Sequence, residues 1–156
     1  MTGKINNPIA DALGEILSKT GFKKKSDTWL YEAKDTITVI NLQKSQYGQQ
    51  YYVNAAIWVK ALGQNKAPKE NQCHIRFRLS SIVPEEQQSI LSAILDLEKP
   101  ISDESERSSV LSAIFEKYGL PLLNKCMSLD GLKKALDGGD LEKALVQTSV
   151  RELYSQ

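Results

Sequence analysis

The chain has 156 residues, 41% hydrophobic and 25% charged, with a formal net charge of +1 at pH 7. That composition is ordinary for a soluble globular chain long enough to build a core, and no apolar run approaches the ~20 residues of a transmembrane helix. Two cysteines are too few for a disulfide framework, and a single histidine excludes His-rich metal sites and schemes that need two imidazoles.

Taken in order, Met1 to Pro8 lacks the apolar stretch of a signal peptide. Asn7-Pro8 then offers an N-cap and a proline for the first helical position. Ile9, Leu13, Ile16 and Leu17 follow at helical spacing, and Gly21 stands where a left-handed C-terminal residue belongs. Lys23-Lys24-Lys25 reads as a solvated turn at the helix exit, with a phosphate-contacting patch as the alternative. Trp29–Ala33 is a short first strand, Lys34-Asp35 a turn, and Thr36–Gln43 a second strand rich in β-branched residues. Gly48 marks the next turn. Tyr51–Val59 is the clearest strand: parity sends Tyr51, Val53, Ala55, Ile57 and Val59 to one face and Tyr52, Asn54, Ala56 and Trp58 to the other. A loop with Pro68 leads into a fourth strand, Cys73–Leu79, with Ile75, Phe77 and Leu79 on the core side and His74, Arg76 and Arg78 opposite. Short connections favour an antiparallel meander.

Beyond Pro84 the period becomes helical. Pro84-Glu85-Glu86 opens a helix with Ile90, Leu91, Ile94 and Leu95 inward, ended by Lys99-Pro100. Ser102-Asp-Glu starts another, with Val110, Leu111, Ile114, Phe115 and Tyr118 inward and Gly119 as terminator. Pro121 starts a third that breaks near Ser128–Gly131, with a further turn at Leu132–Leu136. After Gly138-Gly-Asp140, the residues Leu141, Leu145 and Leu153 pattern a last helix. The expectation is one α+β domain over residues 1–156. Its sheet region covers 28–80 as a four-stranded antiparallel meander behind an N-terminal helix, and three to five C-terminal helices cover 84–154 in a two-layer arrangement.

The small net charge hides an asymmetry. Residues 1–80 hold 12 Lys and Arg against 6 Asp and Glu, and residues 81–156 hold 8 against 13. Mutual attraction of the two halves is the favoured reading, and two partner-binding patches the alternative. Chemistry is sparse: there is no phosphate-binding glycine loop, dinucleotide fingerprint or nucleophile elbow. Cys73 and His74 are adjacent on a strand, so they point to opposite faces and make a poor nucleophile–base pair. No cofactor or metal is expected. His74 reads as a half-exposed sheet residue, or as a donor on an anion site with Arg76 and Arg78. Trp29, Trp58 and Tyr52 form an aromatic group that stacks on a ligand, or else lies beneath a later helix. In the latter arrangement Arg76 and Arg78 would pair with Glu104, Glu106 or Glu116.

Gly21–Lys25, Thr28-Trp29, Val39–Ser45, Tyr52–Asn54 and Cys73–Leu79, with Tyr118–Lys125 and Ser128–Gly131, resemble the bacterial domain-of-unknown-function family 4304 over most of residues 9–137. The resemblance implies a small cytoplasmic α+β domain and supplies no catalytic assignment. Motif positions within it are Gln43, Lys44, Ser45, Asn54, His74, Arg76 and Arg78. The leading expectation is a non-enzymatic intracellular binding module for a protein partner, of an immunity or regulatory type, using the Trp58, Asn54, Arg76 and Arg78 side of the sheet. One alternative is nucleic-acid binding through Lys23–Lys25, Lys44 and Arg76/Arg78. Another is an enzyme or sensor for an anionic small molecule held by His74, Arg76 and Arg78.

Overall fold

Helix α1 (Pro8–Lys19) begins where the sequence places it. The Asn7 side chain accepts hydrogen bonds from the N–H groups of Ile9 (3.0 Å) and Ala10 (3.1 Å), and Pro8 needs no partner there. Gly21 takes φ +93 and turns the chain into the sheet. The computed structural model describes residues 7–101 and 103–155. Residues 1–6, part of the segment read for a leader, lie outside the described residues, as do Ser102, read as a helix start, and Gln156.

The sheet is an antiparallel meander of six strands in chain order, two more than expected: β1 (Lys23–Lys25), β2 (Thr28–Glu32), β3 (Thr36–Lys44), β4 (Tyr51–Val59), β5 (Ile75–Arg78) and β6 (Leu145–Val146). The three lysines are thus not a free turn but an exposed edge strand, hydrogen-bonded to β2 through the two-residue turn Ser26-Asp27. Ser26 takes φ 59, the positive dihedral such tight hairpins demand. Lysine is a residue natural edges favour, because its charge discourages pairing with another chain. The opposite edge, β6, lies where a helix through Leu141 and Leu145 was expected. Leu145 instead pairs with Arg76, and the Gln147 N–H donates to the His74 carbonyl at 2.9 Å. β5 is shorter than Cys73–Leu79, since Leu79 enters a 3-10 turn over Leu79–Ile82.

Helices α2 (Glu85–Ile94), α3 (Glu104–Ile114), α4 (Leu120–Lys125), α5 (Leu129–Asp137) and α6 (Thr148–Tyr154) complete the chain. Gly119 does not terminate α3. A π-helical segment, Phe115–Gly119, carries the helix on into α4, and the Leu120 N–H donates to the Phe115 carbonyl five residues back. Pro121, which lacks an N–H, follows that wide turn, so the altered register costs no additional α-helical hydrogen bond. A Cβ at Gly119 would sit 3.2 Å from the Phe115 ring and 3.4 Å from Leu79, so a side chain there would press on the core.

All these helices lie on one side of the sheet. Their buried residues, among them Leu91, Leu111, Phe115, Leu123 and Leu132, share one cluster with Ile9, Leu13 and Leu17 of α1. The same cluster takes in Val53, Ala55, Ile57, Val59, Ile75, Phe77 and Leu79, the sheet residues that parity assigned to the core. The opposite face carries no α-helix among the described residues. A loop spanning 60–74, with Pro68 buried, straps part of that face over a small second cluster of Ile37, Val39, Ala56 and Cys73. No helix among the described residues is long and apolar enough to cross a membrane.

Candidate functional site

Antiparallel register decides which side chains share the strapped face. Gln43 lies opposite Tyr52, Asn41 opposite Asn54, and Asn54 opposite Arg78, while Ala56 lies opposite Arg76. Cross-strand neighbours of this kind lie within side-chain reach. The Asn54 amide donates to Gln43 Oε1 at 2.9 Å, and Arg78 Nη2 donates to the same oxygen at 3.4 Å. The Arg78 guanidinium lies 4.0 Å from the centre of the Tyr52 ring, a cation–π contact made by an exposed side chain. Ser80, Ser81, Lys143 and Leu145 complete a cleft of about 370 Å³ around the two arginines. Leu145 is 70% exposed, an apolar side chain open to solvent beside charged groups.

The two arginines differ. Arg76 is held by both Glu70 oxygens, Nε at 3.1 Å and Nη2 at 3.2 Å, in the planar fork geometry that suits guanidinium and carboxylate. Its acid comes from the strap, and not from the C-terminal helices. Glu104 pairs instead with Arg107, and among the described residues Arg78 has no carboxylate within ion-pairing distance. Of the six ion pairs among the described residues, none joins residues 1–80 to residues 81–156.

Trp29 does not belong to this face. It pairs with Ile40, is 4% exposed, and packs against Gly14 of α1. Lys24 lies over its ring at 5.6 Å. Trp58 does face the strap, and its indole N–H donates to the Gly63 carbonyl at 3.0 Å. His74 is neither half-exposed nor free to meet a ligand. It is 6% exposed, tilted against the Trp58 ring at 4.3 Å, and its Nδ1 accepts from the Val59 N–H at 2.9 Å. Burial lowers its pKa below the usual histidine value, and the backbone donor requires a neutral Nδ1. Lys44 and Ser45 close β3 at its far end. Lys44 lies opposite Tyr51, hence on the other parity, and the Ser45 hydroxyl accepts from the Tyr47 N–H in the hairpin. Cys73 and Cys126 are separate, buried free thiols, each pushed up to about 12 by burial.

Two features of the face escaped sequence reasoning. Glu70 lies in the loop, where no periodicity orients a side chain. The second is a cleft of about 640 Å³ between the β1–β2 hairpin and the strap, lined by Lys25, Thr28, Leu30, Asn41, Pro68 and Glu70. The Ser26-Asp27 turn between Lys25 and Thr28 was the available signal for that hairpin. No cluster of His, Cys, Asp and Glu suited to a metal ion occurs among the described residues.

The family model described as a domain of unknown function, DUF4304, matches residues 13–125, and the chain belongs to that family. No curated protein and no solved structure matches it.

Proposed function

For this member of the DUF4304 family we propose a non-enzymatic binding module that engages an acidic protein partner through the strapped face of its sheet. The observation that carries the reading is Arg78. It is laid on Tyr52, steadied by Gln43, and lacks a carboxylate among the described residues. Tyrosine and arginine dominate the binding energy of protein interfaces, because they combine apolar area with directional donors. Exposed Leu145 and the adjoining Lys143 extend the patch with apolar area and a second cation. Arg76 serves the surface differently, since Glu70 already occupies it. Of the groups on this face, His74 is held by the Val59 N–H and Cys73 is buried.

The test uses fluorescence anisotropy with labelled acidic peptides. Arg78→Ala should weaken binding by about 2 kcal/mol, roughly thirty-fold, as loss of an interfacial hot spot does. Its melting temperature should stay at the wild-type value. Equal binding by wild type and Arg78→Ala would refute the proposal. A second reading, nucleic-acid binding, is favoured by the surplus of Lys and Arg over Asp and Glu in residues 1–80. It predicts affinity that falls steeply with salt and depends as much on Lys23 and Lys25 as on Arg78.

A further inference from the structure

One row of directly paired positions crosses five strands on the strapped face. From β1 to β5 it runs Lys25, Thr28, Asn41, Asn54, Arg78. Strands lie about 4.8 Å apart, so the four steps from Lys25 to Arg78 span about 19 Å. The next row, Leu30, Val39 and Ala56, belongs to the small apolar cluster. Asparagine is disfavoured in strands, yet here two asparagines lie side by side at the centre of the sheet. Packing does not account for them.

Asn41 supplies the sharper observation. Its Oδ1 is buried and has no hydrogen-bond partner, whereas its neighbour Asn54 is satisfied by Gln43. A buried acceptor left unpaired is costly, and such atoms are rare unless a donor comes from outside the chain. Lys25, Thr28 and Asn41 floor the larger cleft, and Asn54 and Arg78 floor the smaller one. Glu70 borders both, so the row runs beneath two adjoining clefts with a cation at each end. Neither Lys25 nor Arg78 has a carboxylate partner among the described residues.

Resting on the reading of this face as a partner surface, we infer that its occupant is an extended acidic peptide segment lying across the strands. Two of its carboxylates meet Lys25 and Arg78, and a main-chain N–H between them donates to Asn41 Oδ1. An extended chain advances about 3.3 Å per residue, so the two acidic residues should be about six positions apart, on the same side of the segment. A nucleic-acid strand suits the row less well. Its sugar–phosphate backbone carries no N–H for Asn41, and Asp27 and Glu70 on the walls would repel a phosphate at each step.

The experiment is a spacing ladder. Labelled Gly/Ser peptides carrying two aspartates separated by two, four, six or eight positions are titrated with the full chain at low salt. Affinity should peak at a separation of about six, about ten-fold above the shortest spacing, because the second contact becomes intramolecular. Lys25→Ala, an exposed edge substitution, should flatten the ladder, and Asn41→Ala should weaken the best peptide, provided that its melting temperature shows it folded. A flat ladder for the wild type would overturn the inference. If Arg78→Ala still weakened every peptide, the partner surface itself would stand. If Arg78→Ala changed nothing, that surface would fall as well. Tighter binding of a short oligothymidine than of any peptide would overturn the peptide assignment.

Discussion

The two faces of one sheet are built from the same strands and covered by different means. Toward the helices, Val53, Ala55, Ile57 and Val59 alternate along β4 and meet a continuous apolar layer. Toward the strap, Asn54, Ala56 and Trp58 alternate with them, and only Ile37, Val39, Ala56 and Cys73 form a core. The first face stabilises the fold by removing apolar area from water. The second is closed by a loop, one bidentate ion pair and a tryptophan N–H, and its remaining half is open and cationic. Strand parity thus separates the main apolar core from the polar and cationic side chains of the strapped face, and a substitution on one face can act with little effect on the other.

Substitutions distinguish the two faces. Ile57→Ala on the helical face should cost about 2–5 kcal/mol by denaturant unfolding, the range for truncating a fully buried isoleucine. Val39→Ala under the strap removes less apolar volume and should cost about 1–2 kcal/mol. Equal losses would mean that the two faces are covered equally well. Arg76→Ala leaves Glu70 half-buried without its partner, at a cost of about 1–2 kcal/mol after allowance for partial solvent screening. It should also loosen the strap, seen as faster tryptic cleavage after Lys66 and Lys69.

The smallest effect is expected at His74. Its folded pKa lies below the unfolded value, so the unfolded chain binds the extra proton first as pH falls. Stability should be constant above about pH 6.5 and decline below it until the folded group also titrates. In His74→Gln that slope should disappear from the denaturant midpoint between pH 7.5 and 5.5. A slope unchanged in the variant would place the titrating group elsewhere.

How much of this was legible depends on whether the signal was local. Parity is local: it placed Ile75, Phe77 and Leu79 with Ile57 and Val59, and put Arg78 on the same face as Asn54. Caps are local too, and Asn7 was read correctly. Trp29 was misplaced because its face follows from pairing with Ile40, a register that composition does not reveal. Lys23–Lys25 lacked the apolar content of a strand and becomes one only through β2. Leu145 continued a helical leucine pattern, but the two-residue strand β6 forms on an edge that β5 makes available. Glu70 and the orphaned Asn41 oxygen belong to tertiary placement alone. The candidate site was therefore half legible: its arginines, Tyr52 and Asn54 could be found, but its strap and its second cleft could not.

The strapped face, and not the helical layer, is the surface proposed to receive the partner. Side-chain amide NMR during titration with the best acidic peptide tests it most directly. The Asn41, Asn54 and Gln43 amides should shift together with the Arg78 Nε–H, while amides of α2 to α6 hold still. Shifts confined to the helices, or an unmoved Asn41 beside a shifting Lys23–Lys25 edge, would contradict it.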